Sequence, residues 1–347
     1  MRNRLSEVGG ALAGAAALFC SLMLSACSAP GGPVTQTREF PFAKTTLTLY
    51  DHADDATFAA SFKRIEAVLR EFNMHSPDSE ISAVNRAAGT GAVHVSEDFL
   101  EALRQGIRLA SLTDGLFDPT VGPLVKLWGI GSDKAHVPPR EQIHSALRLI
   151  GWKDAVVDEQ ARTVALRRPG MTLDFGALLK GFAAVETGRI LAARGVRSGV
   201  VDVGGSVVAL GSRPDGAPWR IGIQKPDART GVSLGIVEVR DEAVNTSGSY
   251  EQFFTRNGRR YQHIMDPRTG YPVDDGVVSV TVITDRMRNA DGPTLCIMAL
   301  GVEHGLAFAQ HLGVDVIIVD SKRVIHVTRG VRGRFALIDT TYRMAAP

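Results

Sequence analysis

The densest run of reactive side chains is Tyr261-Gln262-His263-Ile264-Met265-Asp266-Pro267-Arg268-Thr269-Gly270-Tyr271-Pro272, which places an imidazole, a carboxylate and a guanidinium close together before a turn. An imidazole can take or give a proton near neutral pH. His263 is therefore a candidate acid-base group, although an isolated His is more often structural. Shortly before it comes Asn245-Thr246-Ser247-Gly248-Ser249-Tyr250-Glu251. A third stretch, Asp174-Phe175-Gly176-Ala177-Leu178-Leu179-Lys180-Gly181, reads as a strand giving way to a helix. Backbone N–H groups at a helix start favour anions, and Lys180 would add a compact positive charge; a solvated helical Lys is the plainer alternative. Gly115-Leu116-Phe117-Asp118-Pro119-Thr120-Val121-Gly122-Pro123-Leu124 has its backbone stiffened by Pro and Gly, which suits a rigid turn or the wall of a ligand pocket. Ser76-Pro77-Asp78-Ser79-Glu80-Ile81-Ser82, with Asn85 beyond it, reads equally as a helix-capping loop.

Other chemistries are missing. There is no GxxxxGK[ST] phosphate loop, and Gly129-Ile130-Gly131-Ser132-Asp133-Lys134 lacks the third glycine and the preceding strand of a dinucleotide fingerprint. Ser247-Gly248-Ser249 lacks the GxSxG spacing of a nucleophile elbow. Neither HExxH nor paired CxxC occurs, so a zinc site has no support.

The elements that must position these groups follow from periodicity. Thr45 to Tyr50 alternates as a strand. Phe58, Phe62, Ile65, Leu69 and Phe72 recur at helical spacing. A second helix is expected from the cap Ser96, burying Phe99, Leu103 and Ile107 and ending near Asp114-Gly115. Pro138-Pro139 introduces a short helix with Ile143, Leu147 and Ile150. A hairpin around Asp158 precedes a strand, Met171 to Asp174, and a helix from about Ala177 to Ala193. From Gly199 to Thr284 the chain is β-rich, broken by Gly, Pro and Asp. A helix around Thr294 to Leu312 and two final strands follow. Helices and strands mix without strict alternation, so the fold class is α+β.

The chain has 347 residues, 44% hydrophobic and 22% charged, an ordinary soluble composition able to bury a large core. A formal net charge of +2 leaves no electrostatic footprint for nucleic acid. Arg2 and Arg4 precede an apolar stretch from Gly9 to Ala26 and then Cys27, which describes an export signal. Leu24-Ser25-Ala26-Cys27 resembles a bacterial lipoprotein box, with residues 1–26 removed and Cys27 lipidated; an ordinary signal peptide cut near Ala26 or Ala29 is the alternative. Residues 27–39 then read as a tether, and 40–347 as the functional domain. In the mature chain only Cys296 would remain besides Cys27, so packing rather than disulfides must stabilise it.

Taken together and in order, SPDSEIS with Asn85, GLFDPTVGPL, DFGALLKGFA, VDVGG, NTSGSYE, HIMDPRTGYP and Ala290-Asp291-Gly292 resemble the FAD:protein FMN transferase (ApbE) family. The matches run from about residue 42 to 340. The resemblance implies an α+β fold of two mixed subdomains, with FAD in the cleft between them. It implies Mg²⁺-dependent cleavage of FAD, transfer of FMN to a Thr or Ser of a target redox flavoprotein, and release of AMP. By positional matching, His263 is the expected base, and Phe42, His75, Leu116, Phe117, Asp118, Asp174, Lys180 and Thr294 are expected near FAD. The Ala177 carbonyl and Asp291 are expected metal ligands. The family's metal-site Thr corresponds to Leu295, so Thr294 is the expected substitute. Phe42-Ala43-Lys44 stands where Met-Gly-Thr is common, His75 where a Tyr is usual, and Gly204-Gly205-Ser206 where GGD is. These departures leave room for a non-catalytic periplasmic FAD-binding lipoprotein, or for hydrolysis of FAD to FMN and AMP. Family members are often exported lipoproteins, which agrees with a lipid-anchored, periplasm-facing protein.

Overall fold

Strand pairing starts earlier than the composition suggests. Val34–Phe40 pairs antiparallel with Ala43–Leu49 along its full length, so the expected tether gives way to a strand at Val34. The β-branched residues decide this: Thr35 Oγ1 meets Thr48 Oγ1 at 3.1 Å, and Thr37 Oγ1 meets Thr46 Oγ1 at the same distance. On the second strand Ala43, Thr45, Leu47 and Leu49 are buried in alternation. The computed structural model describes residues 32–41, 43–285 and 291–346. The expected export signal, Cys27 and Phe42 lie outside them.

These two strands form one edge of a nine-stranded sheet. Its order continues through Ser198–Val203, Ser206–Gly211, Glu242–Gly248, Val277–Asp285, Asp315–Asp320 and Val324–Val327 to Arg343–Met344. Neighbours are antiparallel except the last pair. Central strands are buried without alternation because both faces are covered. Val207 to Leu210 are all buried, as are Ser279 to Thr284.

Helices cover one face. Asp55–Glu71, Glu97–Leu112, Leu179–Ala193 and Asp291–Leu312 contribute to a core that includes Phe58, Phe62, Phe72, Phe99, Phe175 and Phe182. The caps are those the sequence advertises. Asp54 accepts from the Thr57 N–H at 2.8 Å, Ser79 from Ser82 and Ser96 from Phe99, both at 3.2 Å. On the opposite face a three-stranded sheet, Trp219–Gln224, Ser233–Val239 and Phe335–Leu337, packs through Trp219, Ile223 and Val237 against Val207, Val244, Ile283 and Ile317. The mixture of layers is α+β.

A third, smaller core gathers Leu124, Trp128, Ile143, Ala146 and Met265, with Phe254, Tyr261 and Tyr271 against it. It anchors the His263 segment. The Trp128 indole donates to the Gly270 carbonyl at 2.9 Å, and Trp128 packs edge-on against Tyr271. Gly270 has φ 77°, and a Cβ there would stand 2.4 Å from Ile143 Cγ2, so the turn requires glycine.

Three expected elements differ. Met171 to Asp174 makes only a single bridge, Thr172 to Val121. The Asn85 side chain takes both hydrogen bonds a neighbouring strand would have made, accepting from Leu173 N at 2.7 Å and donating to Leu173 O at 3.0 Å. The following helix starts at Leu179 rather than Ala177. The last long helix starts at Asp291 and breaks at Gly301, which adopts φ 76°, ψ −176°.

Phe175 is fully buried, its ring 5.0 Å from Phe99 and 5.4 Å from Phe72. Phe175→Ala is expected to cost about 3–5 kcal/mol of stability by leaving a cavity; urea denaturation of the two proteins measures it.

Candidate active site

Asp291 is the centre of the site. It is 7% exposed and sits where three elements meet. Its Oδ2 accepts from the backbone N–H of Gly181, and its Oδ1 from Ser206 Oγ at 2.9 Å and from the Asn245 side-chain amide. The helix Leu179–Ala193 has no side-chain cap of its own. A carboxylate more than a hundred residues away supplies one, as the orphan N–H groups and dipole of a helix start favour. Thr294, fully buried, donates to the Asp291 carbonyl and lies 2.6 Å from Ser247 Oγ.

The cap has a consequence for Ala177. The Phe182 N–H reaches back to the Leu178 carbonyl as a helix requires, whereas the Gly181 N–H turns to Asp291. The Ala177 carbonyl therefore lacks the donor that would lie four residues on. A carboxylate, a hydroxyl and a bare carbonyl are hard oxygen donors, the set Mg²⁺ prefers while keeping several waters. Among the described residues no group of three or more His, Cys, Asp or Glu side chains is gathered around a metal position, so a metal here would rest on one carboxylate, neutral oxygens and water. The donors present fit Mg²⁺.

Beside Asp291 lies a charged cluster around Lys180. Its ammonium donates to the Gly204 carbonyl at 3.2 Å and stands 3.9 Å from Glu251 Oε2. Glu251 and Asp202 both have raised pKa values: crowding by protein dominates, and the Lys180 charge opposes it. The charge of Asp291 pushes Glu251 further up. Asp202 is held by the Gly205 N–H at 2.8 Å.

His263 completes the cluster. Its backbone N–H donates to the Gln252 carbonyl at 3.1 Å, and its Nδ1 lies 3.3 Å from the same oxygen. A carbonyl only accepts, so Nδ1 carries the proton and Nε2 keeps the lone pair. Burial lowers the imidazole pKa to about 4, with Lys180 acting in the same direction against the Gln252 hydrogen bond. The Gly131 backbone comes close to Gln252: a Cβ there would stand 2.5 Å from its Oε1.

A second group lies around Asp174. Burial raises its pKa, opposed by the Gly176 N–H at 2.7 Å and by the charges of His75 and Lys126. Lys126 in turn is lowered by burial and raised by Asp174.

A model of the ApbE family matches residues 43–318. The chain belongs to the ApbE family. It is 34% identical to the FAD:protein FMN transferase of Klebsiella pneumoniae (strain 342), over 86% of this chain and 92% of that one. With its counterpart from Treponema pallidum (strain Nichols) the identity is 32%, over 85% and 87%. Its fold matches the ApbE protein of Thermotoga maritima with a TM-score of 0.78 and 28% identity, over 86% of this chain and 97% of that one. For the flavin transferase ApbE of Vibrio cholerae the values are 0.75 and 31%, over 84% and 94%.

Against this ApbE frame the expected residues divide. Lys180 and His263 belong to one electrostatic cluster, which Asp291 joins through Glu251 and to which Thr294 is attached by its bond to the Asp291 carbonyl. Asp174 and His75 form the second group. Asp118 is different. Both its oxygens are used by the protein: Oδ1 accepts from Thr120 N and Oγ1, each at 2.7 Å, and Oδ2 from Trp152 N at 3.0 Å. Thr120 Oγ1 accepts from Gly151 N at 2.8 Å, extending the tie. Asp118 thus braces the loop carrying Leu116 and Phe117, both buried in the main core. Leu295 packs against that core too, while Thr294 turns to Asp291.

Asn245, Ser206, Ser247, Asp202 and Glu251 stand in or beside the matched motifs with no role that local sequence assigns them. Ser206 was read as a departure from GGD, yet its hydroxyl holds Asp291. Polar residues inside apolar strands, Asn245 and Ser206 above all, were the available signal, because a buried polar group needs a partner.

Asp118→Ala would leave the Thr120 and Trp152 N–H groups short of an acceptor. A loss of about 1–3 kcal/mol is expected for such buried donors, and guanidinium unfolding checks it.

Proposed function

We propose that this chain transfers FMN from FAD to a Thr or Ser hydroxyl of a target flavoprotein, releasing AMP, with Mg²⁺ as the metal. Family membership and relatives named for this reaction support it. His263 carries the reading within this chain. Its Nδ1–H is fixed by Gln252 and its Nε2 is left basic, next to Lys180.

In this mechanism the acceptor oxygen attacks the FMN-side phosphorus while His263 Nε2 takes the hydroxyl proton. A new P–O bond forms, and the bond to the bridging oxygen breaks with its electron pair leaving on AMP. Lys180 offers positive charge to the diphosphate, and the N–H groups at the start of the helix Leu179–Ala193 add partial positive charge. The Asp291 carboxylate, the Thr294 hydroxyl and the Ala177 carbonyl would hold Mg²⁺, which when bound supplies charge neutralisation on the diphosphate. Glu251 and Asp202 keep Lys180 in place. A pure FAD carrier would have no use for a base held in one tautomer.

The test mixes the protein with FAD, Mg²⁺ and a flavoprotein domain bearing an acceptor Thr, and measures covalent FMN and AMP with and without chelator. Chelator-sensitive, equimolar AMP and protein-bound FMN are expected. AMP with free FMN would mean hydrolysis, and bound FAD without AMP would mean a carrier.

His263→Ala is expected to slow transfer about 10²–10⁴-fold, the range for loss of a general base, with FAD affinity retained; a normal rate removes His263 from this role. Its depressed pKa sets the pH dependence. The acid limb of kcat/KM for FAD should fall near about 4, well below the ordinary 6.5. The unfolded chain takes up this proton first, so stability is unaffected above about 6.5 and declines as pH falls toward 4.

Export and a lipid anchor at Cys27 are the second part of the proposal, resting on the basic start, the apolar run and the LSAC box. Cys27→Ala is expected to move the protein from the membrane to the soluble fraction; an unchanged distribution, read by fractionation and immunoblot, would refute the anchor.

A further inference from the structure

Immediately before His263 the chain makes a freestanding hairpin. Phe253–Arg256 pairs with Arg259–Gln262, and among the described residues no other strand joins them. Asn257 (φ 51°) and Gly258 (φ 74°) both adopt the left-handed region, as a tight two-residue hairpin turn demands. The hairpin is rigidly mounted at its base. The Phe254 and Tyr261 rings stack at 5.2 Å, and Tyr261 packs on Trp128 of the third core at 5.5 Å. Beyond that anchor it is exposed from Thr255 to Arg260.

The exposed part has one sign of charge. Arg256, Arg259 and Arg260 lie in five residues, and the hairpin contains no acidic residue. Among the described residues Arg259 alone of the three meets a carboxylate, Asp274 at 3.3 Å, and that pair is itself open to water. Such a pair is worth little. Phe253 is 47% exposed, with the Arg260 guanidinium 3.6 Å above its ring. An exposed aromatic under an arginine is the composition of a recognition surface, not of a plain turn.

Its position matters as much as its charge. The strand leaves from Gln252, whose carbonyl holds both His263 N and Nδ1, and returns through Gln262 to His263 itself. Whatever binds the hairpin is delivered beside the imidazole. The reaction needs a macromolecular acceptor to bring a hydroxyl there, and none of Arg256, Arg259 or Phe253 has a role in the cluster around Asp291.

We propose that the hairpin Phe253–Gln262 is the docking element for the acceptor protein, recognising an acidic segment next to the Thr or Ser that receives FMN. This rests on the transferase reading. Arg256 and Arg259 steer and hold the acidic side chains, and Phe253 supplies an apolar contact at the base. The unpaired strand edges offer main-chain hydrogen bonds to an extended peptide.

The probe is a fluorescein-labelled peptide with a central Thr flanked by aspartates, alongside its counterpart with lysines in those places. Binding is read by anisotropy on the full exported domain and on Arg256→Glu/Arg259→Glu, with circular dichroism confirming that the variant folds. The aspartate peptide is expected to bind the unmodified protein, more weakly as NaCl rises, and at least about tenfold more weakly to the variant. FAD affinity should be equal in the two proteins. A peptide that does not bind, that binds both proteins alike, or that binds no better than its lysine counterpart overturns the proposal. So does loss of FAD affinity in the variant, which would make the arginines part of the dinucleotide site. Binding of phosphatidylglycerol vesicles in place of the peptide would make the hairpin a membrane contact and also overturn it. FMN transfer to a Thr-bearing flavoprotein domain is measured separately. Its absence beside charge-dependent peptide binding would sink the transferase reading and leave the docking surface standing.

Discussion

One buried carboxylate holds the site in register. Asp291 accepts from the first turn of the helix Leu179–Ala193 and from side chains on two adjacent sheet strands, Ser206–Gly211 and Glu242–Gly248. Taking a carboxylate out of water is costly unless donors replace the solvent. Here they come from elements far apart in sequence, so the charge is tolerated only when all of them are in place. The interaction therefore positions as much as it stabilises. The same bond that caps the helix diverts the Gly181 N–H and leaves the Ala177 carbonyl without its usual helical donor, open to the proposed metal.

Around this fixed point the charges oppose one another. Lys180 stands among Glu251, Asp202 and His263, and its effect on each has the sign that suits an anionic substrate. It lowers the raised carboxyl values of Glu251 and Asp202 and resists protonation of His263. A cluster balanced in this way by its own charges would, in the proposed reaction, gain from the arrival of a diphosphate. Added negative charge beside His263 favours the protonated imidazole, moving a weak base toward the strength needed to take a hydroxyl proton. The low value in the free protein is thus compatible with base catalysis in the loaded one.

Much of this was legible in the sequence, for definite physical reasons. Helices with strong periodicity and a local cap, such as Asp55–Glu71 behind Asp54 and Glu97–Leu112 behind Ser96, were readable because their determinants are local. Met171 to Asp174 was misread as a strand because its alternation is real but its partner is a side chain, Asn85, rather than another strand. The Val34 to Thr37 stretch was hidden by the Pro and Gly before it. At the site, His263, Lys180 and Asp291 stood out through chemistry and family resemblance. The donors that hold them did not. Asn245, Ser206 and Ser247 act across the sheet, and no spacing rule connects residues whose proximity depends on strand order.

Asp118 shows the limit of carrying roles across a family by position alone. Its place in the motif suggests a ligand contact, yet its oxygens are spent on Thr120 and Trp152. A motif can persist because it shapes a wall as well as because it touches what the wall encloses. The raised pKa of Asp118, caused by burial and offset by those same hydrogen bonds, belongs to a brace. That of Glu251 belongs to a group still reached by solvent, beside a lysine and within the field of the Asp291 carboxylate. Both carboxyls are shifted in the same direction by burial; Asp118 is tied to Thr120 and Trp152, whereas Glu251 stands against the Lys180 charge.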